Sequence, residues 1–400
     1  MPSAKQRWLI LVSALVIVGF QVGLFYAMQR FQSRKPDFAS LYQAGRKLDH
    51  QRFPSLIDRF PSLKSVEYSV QIDGHDFDSD NLHPPYEMLI YASLALLKFR
   101  ISYLVWWAFN LGCLFLCMFI LWFHAPKLQS SYPYLLIIVA TFFPVLVSMV
   151  QGQNSVLLLA FLTLCFGSFE KNHDFRAGFA LAMGMFKFVI VIPLAFWLIL
   201  ERRWRSLAGF LCGCVALFFV ALWLVRMEGI FSYLGLLTGF GRKAPEQPGT
   251  EGIMPNLRGL LHLVSSGVVP EIWIAAITLL ASIALLIWVD LRLSQYKNMS
   301  LRFATQVLLA CMISYHLYPH DSAILVLPFL LLLNHALEDA AGKTFRIAVL
   351  TCTICAYLVP FVAGLYVGMP VIGATSLALM IFARSEALKN PVMSTAHARS

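Results

Sequence analysis

The chain has 400 residues, of which 59% are hydrophobic and only 13% are charged. A soluble protein carries roughly 25% charged residues to keep its surface hydrated, so this composition excludes a water-soluble globular protein. The net charge of +10 could suit nucleic acid, but the basic residues cluster in short stretches between apolar runs, the positive-inside pattern of membrane proteins. We therefore expect a polytopic membrane protein that binds no nucleic acid.

Apolar runs long enough to cross a bilayer, about 20 helical residues each, recur along the chain. They cover residues 8–28, 103–123, 132–150, 206–224, 272–289 and 346–367. Lys5 and Arg7 precede the first run and no small-residue cleavage site follows it, so we expect it to be retained as a helix. The sequence predicts one all-α membrane domain over residues 1–400, with about 10–13 transmembrane or membrane-embedded helices.

The basic clusters predict which ends of the spans face the cytoplasm. They are Lys5 with Arg7, residues 171–176, 202–205, 292–302 and 343–346, and the tail from Arg384. With these inside, two long polar segments, residues 29–83 and 225–271, fall outside. We expect a multi-pass protein of a bacterial inner membrane whose functional site faces the extracytoplasmic side.

Two apolar stretches do not fit simple spans. Residues 84–97 are too few to cross and include Glu87, which predicts a re-entrant or interfacial helix on the outer side. Residues 177–200 lie between two basic clusters and are interrupted by Lys187 and Pro193. Two half-helices with Lys187 at their outer junction would keep both clusters inside, since broken helices occur where backbone lines a cavity. The alternative is one ordinary span.

Polar groups in or beside apolar runs cost a few kcal/mol each, so each is a functional-site hypothesis. Asp37 follows the first span and precedes a segment, 38–60, whose apolar spacing suits a helix lying in the interface. A helix-capping role is the alternative for Asp37. His83 precedes two prolines that begin an apolar helix, so a structural role is the alternative there.

Two further groups offer hydrogen-bonding side chains. Gln153 and Asn154 supply the donors and acceptors that sugar hydroxyls need, unless they are only part of a polar loop. His316, His320 and Asp321 could ligate a metal, but Pro319 interrupts helical spacing between the histidines. We therefore expect this last group to bind a substrate phosphate or hydroxyl and not a metal.

Lys187 also lies within an apolar stretch. A lysine there needs a counter-charge, and the phosphate of a lipid would supply one. The alternative is a lysine whose ammonium reaches the interface along its aliphatic stem.

The order of these motifs resembles glycosyltransferase family 87, over about residues 8–380. The resemblance rests on Asp37-Phe38-x-x-x-Tyr42-x-Ala44-Gly45, His83-Pro84-Pro85, Gly152-Gln153-Asn154, Ala177-Gly178 ahead of Lys187, a Trp-Arg-rich turn, and His320-Asp321 before an apolar run. Two features depart from the family: Phe188 follows Lys187 where proline is common, and residues 60–82 are unusually acidic.

The resemblance implies a GT-C-type membrane fold and sugar transfer from a polyprenyl-phosphate donor, such as polyprenyl-phosphate-mannose, to a glycolipid or glycan outside the cytoplasm. It implies that Asp37 is the general base and that His83, Lys187, His316 and His320 line one cavity. Neither a nucleotide sugar nor a cofactor is expected, because a monophosphate donor can react without the metal that a diphosphate usually needs.

Two other functional classes remain open from the residues. Discontinuous helices with embedded charges are also typical of transporters, here a transporter or flippase of lipid-linked sugars. A non-enzymatic assembly protein is the third class. The polar groups gather near one predicted face and no inverted repeat is visible, which favours the enzyme.

Overall fold

The computed structural model describes residues 3–31, 36–52, 83–243, 251–265, 268–293 and 298–389, and within these ranges the regular structure is helical, without β-strands. The first α-helices in chain order are α1 Ala4–Phe31, α2 Phe38–Arg52, α3 Met88–Ala95, α4 Phe99–His124, α5 Tyr132–Ala140, α6 Phe143–Gln151, α7 Ser155–Glu170 and α8 Asp174–Met183. They are followed by α9 Phe188–Leu200, α10 Trp204–Lys243, α11 Leu257–Ser265, α12 Glu271–Leu293, α13 Met299–Ile313, α14 Val326–Ala336, α15 Lys343–Ala363 and α16 Leu365–Lys389.

Six helices of the described ranges are long and apolar enough to cross a membrane. The spans are Ala4–Met28, Phe99–His124, Trp204–Gly235, Glu271–Val289, Lys343–Ala363 and Leu365–Ala387, and two bent helix pairs raise the number to as many as eight. Large apolar side chains on their outer surfaces are exposed, for example Phe231 at 63% and Leu280 at 68%, as lipid contact requires. The polytopic all-α membrane fold is confirmed.

The expected span over residues 132–150 is wrong as a continuous helix. It consists of α5 and α6, and the segment Pro126–Ala140 meets α6 at an angle of 49°. Pro144 explains the break. In a continuous helix it would have no N–H to donate to the Ala140 carbonyl, and its ring would clash with that carbonyl. Ala140 is the residue at which α5 ends.

The predicted break at Lys187 is confirmed. Segments Asp174–Met183 and Met185–Leu200 are bent by 61°, and Lys187 ends the short 3-10 helix between α8 and α9. One continuous helix over residues 177–200 is therefore excluded. Lys187 lies at the junction of the two segments, directly before the first residue of α9.

Residues 84–97 contain α3, which has only eight residues and is too short to span, while its re-entrant or interfacial position on the outer side stays a prediction. Helix α2 begins at Phe38 as expected. Residues 53–60 of the predicted 38–60 helix lie outside the described residues, and so does the acidic stretch 60–82. The apolar side of α2, including Phe38 and Leu41, is buried. It packs on α3, so protein and not lipid covers this side of the helix.

Two other sequence boundaries require correction. The last apolar run was expected to end at residue 367, but α16 forms a further span to Ala387 that is as apolar as α15. The polar segment 225–271 is helical in large part, because α10 continues past a backbone break at Arg226 (φ 57°) and α11 follows.

The Ala177-Gly178 motif has a packing role. A Cβ atom on Gly178 of α8 would lie 1.7 Å from the Ser206 carbonyl oxygen of α10, and one on Gly209 of α10 would lie 2.0 Å from the Phe175 carbonyl oxygen of α8. Glycine at both positions lets the two backbones approach closely, as small residues do in membrane helix pairs. This crossing orients α8, and through the bend it orients Lys187.

Charged residues from three predicted cytoplasmic clusters meet at the far end of α9. Glu201 lies 2.9 Å from the Arg203 guanidinium and also pairs with Arg302, while Arg203 lies 3.4 Å from Asp174. Helix α9 has 13 residues and therefore separates this network from Lys187 by roughly 20 Å. The two groups of charges occupy opposite ends of one helix.

The tight crossing of α8 and α10 predicts that Gly178→Ala destabilises the protein. The added methyl group forces the helices apart at a cost of about 1–3 kcal/mol, which should lower the melting temperature of detergent-solubilised protein. Gly112→Ala is the matched control, because a Cβ there meets nothing within 4 Å. Equal melting temperatures for the two variants would contradict the close approach.

Candidate active site

A cavity of about 650 Å³ brings most of the sequence-predicted site residues together. It is lined by Asp37, His83, Gln153, Phe186, Lys187, Phe188, Val189, Tyr315, His316, Tyr318, His320 and Asp321. Of the predicted residues, Asn154 is absent from this lining and lies behind the wall. The lining comes from five separate parts of the chain, so the cavity is a product of the tertiary fold.

Asp37 is held at the exposed side of the cavity by its neighbours in sequence and by Gln153. Phe38 is fully buried and stacks on the Tyr103 ring at 5.3 Å between centroids, which anchors the start of α2. Gln153 Nε2 then donates a hydrogen bond of 2.8 Å to Asp37 Oδ2. The carboxylate is thus oriented by a neutral donor while Asp37 remains exposed.

The turn 152–155, between α6 and α7, is itself rigidly placed. Gly152 has φ +66° and a Cβ there would lie 2.6 Å from Phe38 Cβ, so both its conformation and its surroundings require glycine. Trp106 Nε1 donates to the Gly152 carbonyl oxygen at 2.7 Å, and the Tyr103 hydroxyl donates to that of Val150 at 2.5 Å. Helix α4 therefore fixes the backbone of this turn.

Three successive residues of this turn donate to three different carboxylates. Gln153 bonds Asp37, Asn154 Nδ2 donates to Glu87 Oε1 at 2.5 Å, and Ser155 Oγ donates to Asp321 Oδ1 at 3.0 Å. The carboxylates belong to segments far apart in sequence. The turn is the point at which these segments are joined.

Glu87 is a site residue that the sequence reasoning missed. Its side chain is buried, and its Oε2 lies 2.8 Å from Nδ1 of His83. The Tyr91 hydroxyl donates to Oε1 at 3.3 Å, in addition to Asn154. The i, i+4 spacing of His83 and Glu87 at a helix start was visible in sequence, but the contact with Asn154 was not. Glu87 orients His83, which lines the cavity.

Lys187 has its counter-charge within the protein. Its Nζ lies 2.8 Å from Asp321 Oδ1, and Asp321 is buried. The Tyr318 backbone N–H donates to the second oxygen, Oδ2, at 3.1 Å. Ser155 was also missed as a partner of Asp321. The carboxylate of Asp321 is fully engaged and holds the ammonium of Lys187 at the cavity wall.

The loop between α13 and α14 forms an aromatic wall. His316 and Tyr318 stack at 6.1 Å between centroids, and Tyr318 and His320 stack at 5.7 Å. Burial lowers the pKa of His320 below its usual value, and the charge of Lys187 lowers it further against the opposing effect of Asp321. His320 is therefore a neutral hydrogen-bonding group at neutral pH.

No group of three His, Cys, Asp or Glu side chains within the described ranges has an arrangement suited to a metal ion. His316 and His320 instead take part in the ring stack. The cavity combines one exposed carboxylate on one wall with an ammonium and neutral imidazole on others. This set of groups can accept a proton at Asp37 and stabilise negative charge near Lys187.

Glu87→Gln should destabilise the protein through its effect on two neighbours. The substitution replaces an acceptor oxygen by an NH₂ group in a buried position. This group either faces the Asn154 N–H or requires His83 to change tautomer so that Nδ1 accepts, at a cost of about 1–3 kcal/mol. The measurement is the melting temperature. Glu338→Gln is the matched control, since Glu338 pairs with His335 at 2.8 Å but is 36% exposed. Equal melting temperatures would show that Glu87 has no buried structural role.

Among known proteins, the chain is similar to one glycosyltransferase family. The model of glycosyltransferase family 87 matches residues 81–314, more than half of the chain, including His83, Gln153 and Lys187. No curated protein matches the chain. The crystal structure of ArnT from Cupriavidus metallidurans in the apo state is similar with a TM-score of 0.37 and 11% identity, over 96% of this chain and 78% of that chain. By the family match, this chain is a membrane glycosyltransferase that belongs to glycosyltransferase family 87.

Proposed function

We propose that the enzyme transfers a hexosyl group, specifically mannosyl, from a polyprenyl-phosphate donor to an extracytoplasmic glycolipid or glycan, with Asp37 as the general base. The observation that carries the proposal is the difference among three carboxylates. Glu87 and Asp321 are buried and engaged by several partners, whereas Asp37 is exposed within the cavity. Of these three carboxylates, Asp37 is the most accessible to a substrate.

The chemistry requires a base close to the acceptor. Transfer with inversion joins the acceptor oxygen to the anomeric carbon while the phosphate departs from the opposite face, and the hydroxyl proton passes to a carboxylate. Positioned general bases of this kind contribute about 100-fold to 10,000-fold in rate. The Gln153 amide donates a hydrogen bond to one oxygen of Asp37 and so orients the carboxylate.

The departing phosphate requires stabilisation of its charge more than protonation. Lys187 lies in the cavity wall with its side chain only 14% exposed, and a cation in a site of low dielectric acts strongly on developing negative charge. His316, His320 and His83 add hydrogen-bonding groups around the same space. A donor phosphate would thus meet a fixed ammonium without a cofactor.

The walls near Lys187 also suit a lipid-linked donor. Phe186, Phe188 and Val189 line the cavity on either side of it in sequence, which offers apolar surface for the first units of a prenyl chain. The departure from the family at Phe188 thus places an aromatic ring where proline is common. A donor that enters from the bilayer would keep its chain in an apolar environment.

The charges at the two ends of α9 support an extracytoplasmic site. The network of Glu201, Arg203 and Arg302 comes from loops rich in basic residues, which remain cytoplasmic under the positive-inside rule. The cavity adjoins Lys187, roughly 20 Å away along the helix. We therefore propose a bacterial inner-membrane orientation in which the cavity opens outward.

Asp37→Asn should reduce sugar transfer about 100-fold or more, because the amide cannot accept the proton. The measurement uses purified enzyme in nanodiscs, radiolabelled polyprenyl-phosphate-mannose, and a lipid extract of the source membranes as acceptor. Asp339→Asn is the matched control on an exposed turn and should retain full activity. Wild-type turnover by the Asp37 variant would eliminate the proposed base.

Lys187→Gln should raise the KM for the lipid donor about tenfold or more through loss of a charged contact, with Lys187→Arg closer to wild type. The same donor titration in nanodiscs measures both. Melting temperatures identify any general destabilisation caused by the unpaired Asp321. A donor KM that is unchanged in the folded Lys187→Gln protein contradicts the proposed phosphate contact.

A further inference from the structure

Tyr315 has an environment that the proposed chemistry does not explain. Among the residues that line the cavity, Asp37 and Tyr315 are the two that are exposed, and Tyr315 is 44% exposed. The other lining residues are half-buried or buried. Tyr315 and Asp37 are therefore the lining residues most accessible from outside the cavity.

The ring of Tyr315 is held from outside the cavity by a buried cation. The Arg258 guanidinium carbon lies 4.3 Å from the ring centroid, and Arg258 is only 3% exposed. Its guanidinium pairs with Glu271 at 2.6 Å, and Nε2 of His262 lies 2.8 Å from the same carboxylate. Arg258 of α11 thus packs on the ring while its charge is neutralised by Glu271 of α12.

The backbone beside Tyr315 is fixed as well. Asn256 is fully buried, and its Nδ2 donates to the Ser314 carbonyl oxygen at 2.8 Å and to the Tyr315 carbonyl oxygen at 3.4 Å. Its Oδ1 accepts from the Gly259 backbone N–H at 2.8 Å. On the cavity side the His316 ring meets Tyr315 edge-on at 4.7 Å. An exposed aromatic side chain is therefore held in one position by buried groups.

An immobilised, exposed aromatic ring is suited to the apolar face of a sugar. The C–H bonds on one side of a pyranose form a weakly positive surface, and the face of an aromatic ring is negative. A ring that is already ordered loses little conformational entropy when a ligand packs on it. Because Arg258 is buried and paired with Glu271, it supports the ring and is not itself positioned to bind an anion.

We propose that Tyr315 is a binding platform for a pyranose of the acceptor, and that Arg258 is its positioning residue. The assignment to the acceptor rests on the proposed function. Asp37, which would take the acceptor proton, is an exposed residue of the cavity lining, as Tyr315 is, whereas Lys187, the proposed phosphate contact, is only 14% exposed. A sugar stacked on Tyr315 would present its hydroxyl groups within the cavity.

The test is saturation-transfer NMR on the full chain in detergent, with methyl α-mannopyranoside and methyl α-glucopyranoside as separate probes. Tyr315→Leu should reduce saturation transfer to the pyranose C–H protons at least about threefold, the size of a lost aromatic contact. Tyr315→Phe and Tyr315→Trp should retain it. Tyr366→Leu, at a tyrosine 72% exposed on α16, is the matched control and should equal wild type.

Arg258→Gln provides a second variant that keeps the ring and removes its support. We expect an intermediate loss of saturation transfer with both probes. Wild-type signals in Tyr315→Leu, or no saturation transfer to either probe in the wild-type protein, would overturn the platform. Because this experiment needs no turnover, it is independent of the Asp37→Asn assay. Each experiment can therefore contradict its own proposal, the base Asp37 or the platform Tyr315, without contradicting the other.

Discussion

The structure of the site depends on one turn, residues 152–155, whose side chains bond three carboxylates at once. A buried ionised carboxylate is very costly without hydrogen-bonding partners, and Glu87 and Asp321 each find a partner in this turn. Asp37 receives the third donor. Since α4 fixes the backbone of the turn, its hydrogen bonds help to place the starts of α2 and α3 and the 3-10 helix Asp321–Leu325 before α14.

This arrangement divides the carboxylates by role. Glu87 orients His83 and Asp321 holds Lys187. Both carboxylates therefore act by positioning another side chain of the cavity wall. Asp37 is left with a neutral partner and an exposed position. The same principle applies to Tyr315, whose support by Arg258 lies outside the cavity. Reactive or binding groups face the cavity, and buried groups behind the wall keep them in place.

Most of the charged residues singled out from the sequence line one cavity, and they could be singled out because a charge in or beside an apolar run is costly. The break at Lys187 could be predicted because basic clusters flank both ends of the stretch. The hydrogen bond of Asn154 could not be predicted, because its partner Glu87 is 67 residues away in sequence. The α5–α6 break depends on a single Pro144, whereas α16 is as apolar as α15 and could have been predicted from the sequence alone.

The most direct measurement is a structure of the enzyme with an acceptor and a non-hydrolysable phosphonate analogue of the lipid-linked sugar donor. The account predicts that the attacking hydroxyl lies within about 3 Å of an Asp37 carboxylate oxygen, with the phosphonate beside Lys187 and Gln153 still bonded to Asp37. An attacking hydroxyl placed against His83, His316 or His320, with Asp37 directed away from it, would contradict the account.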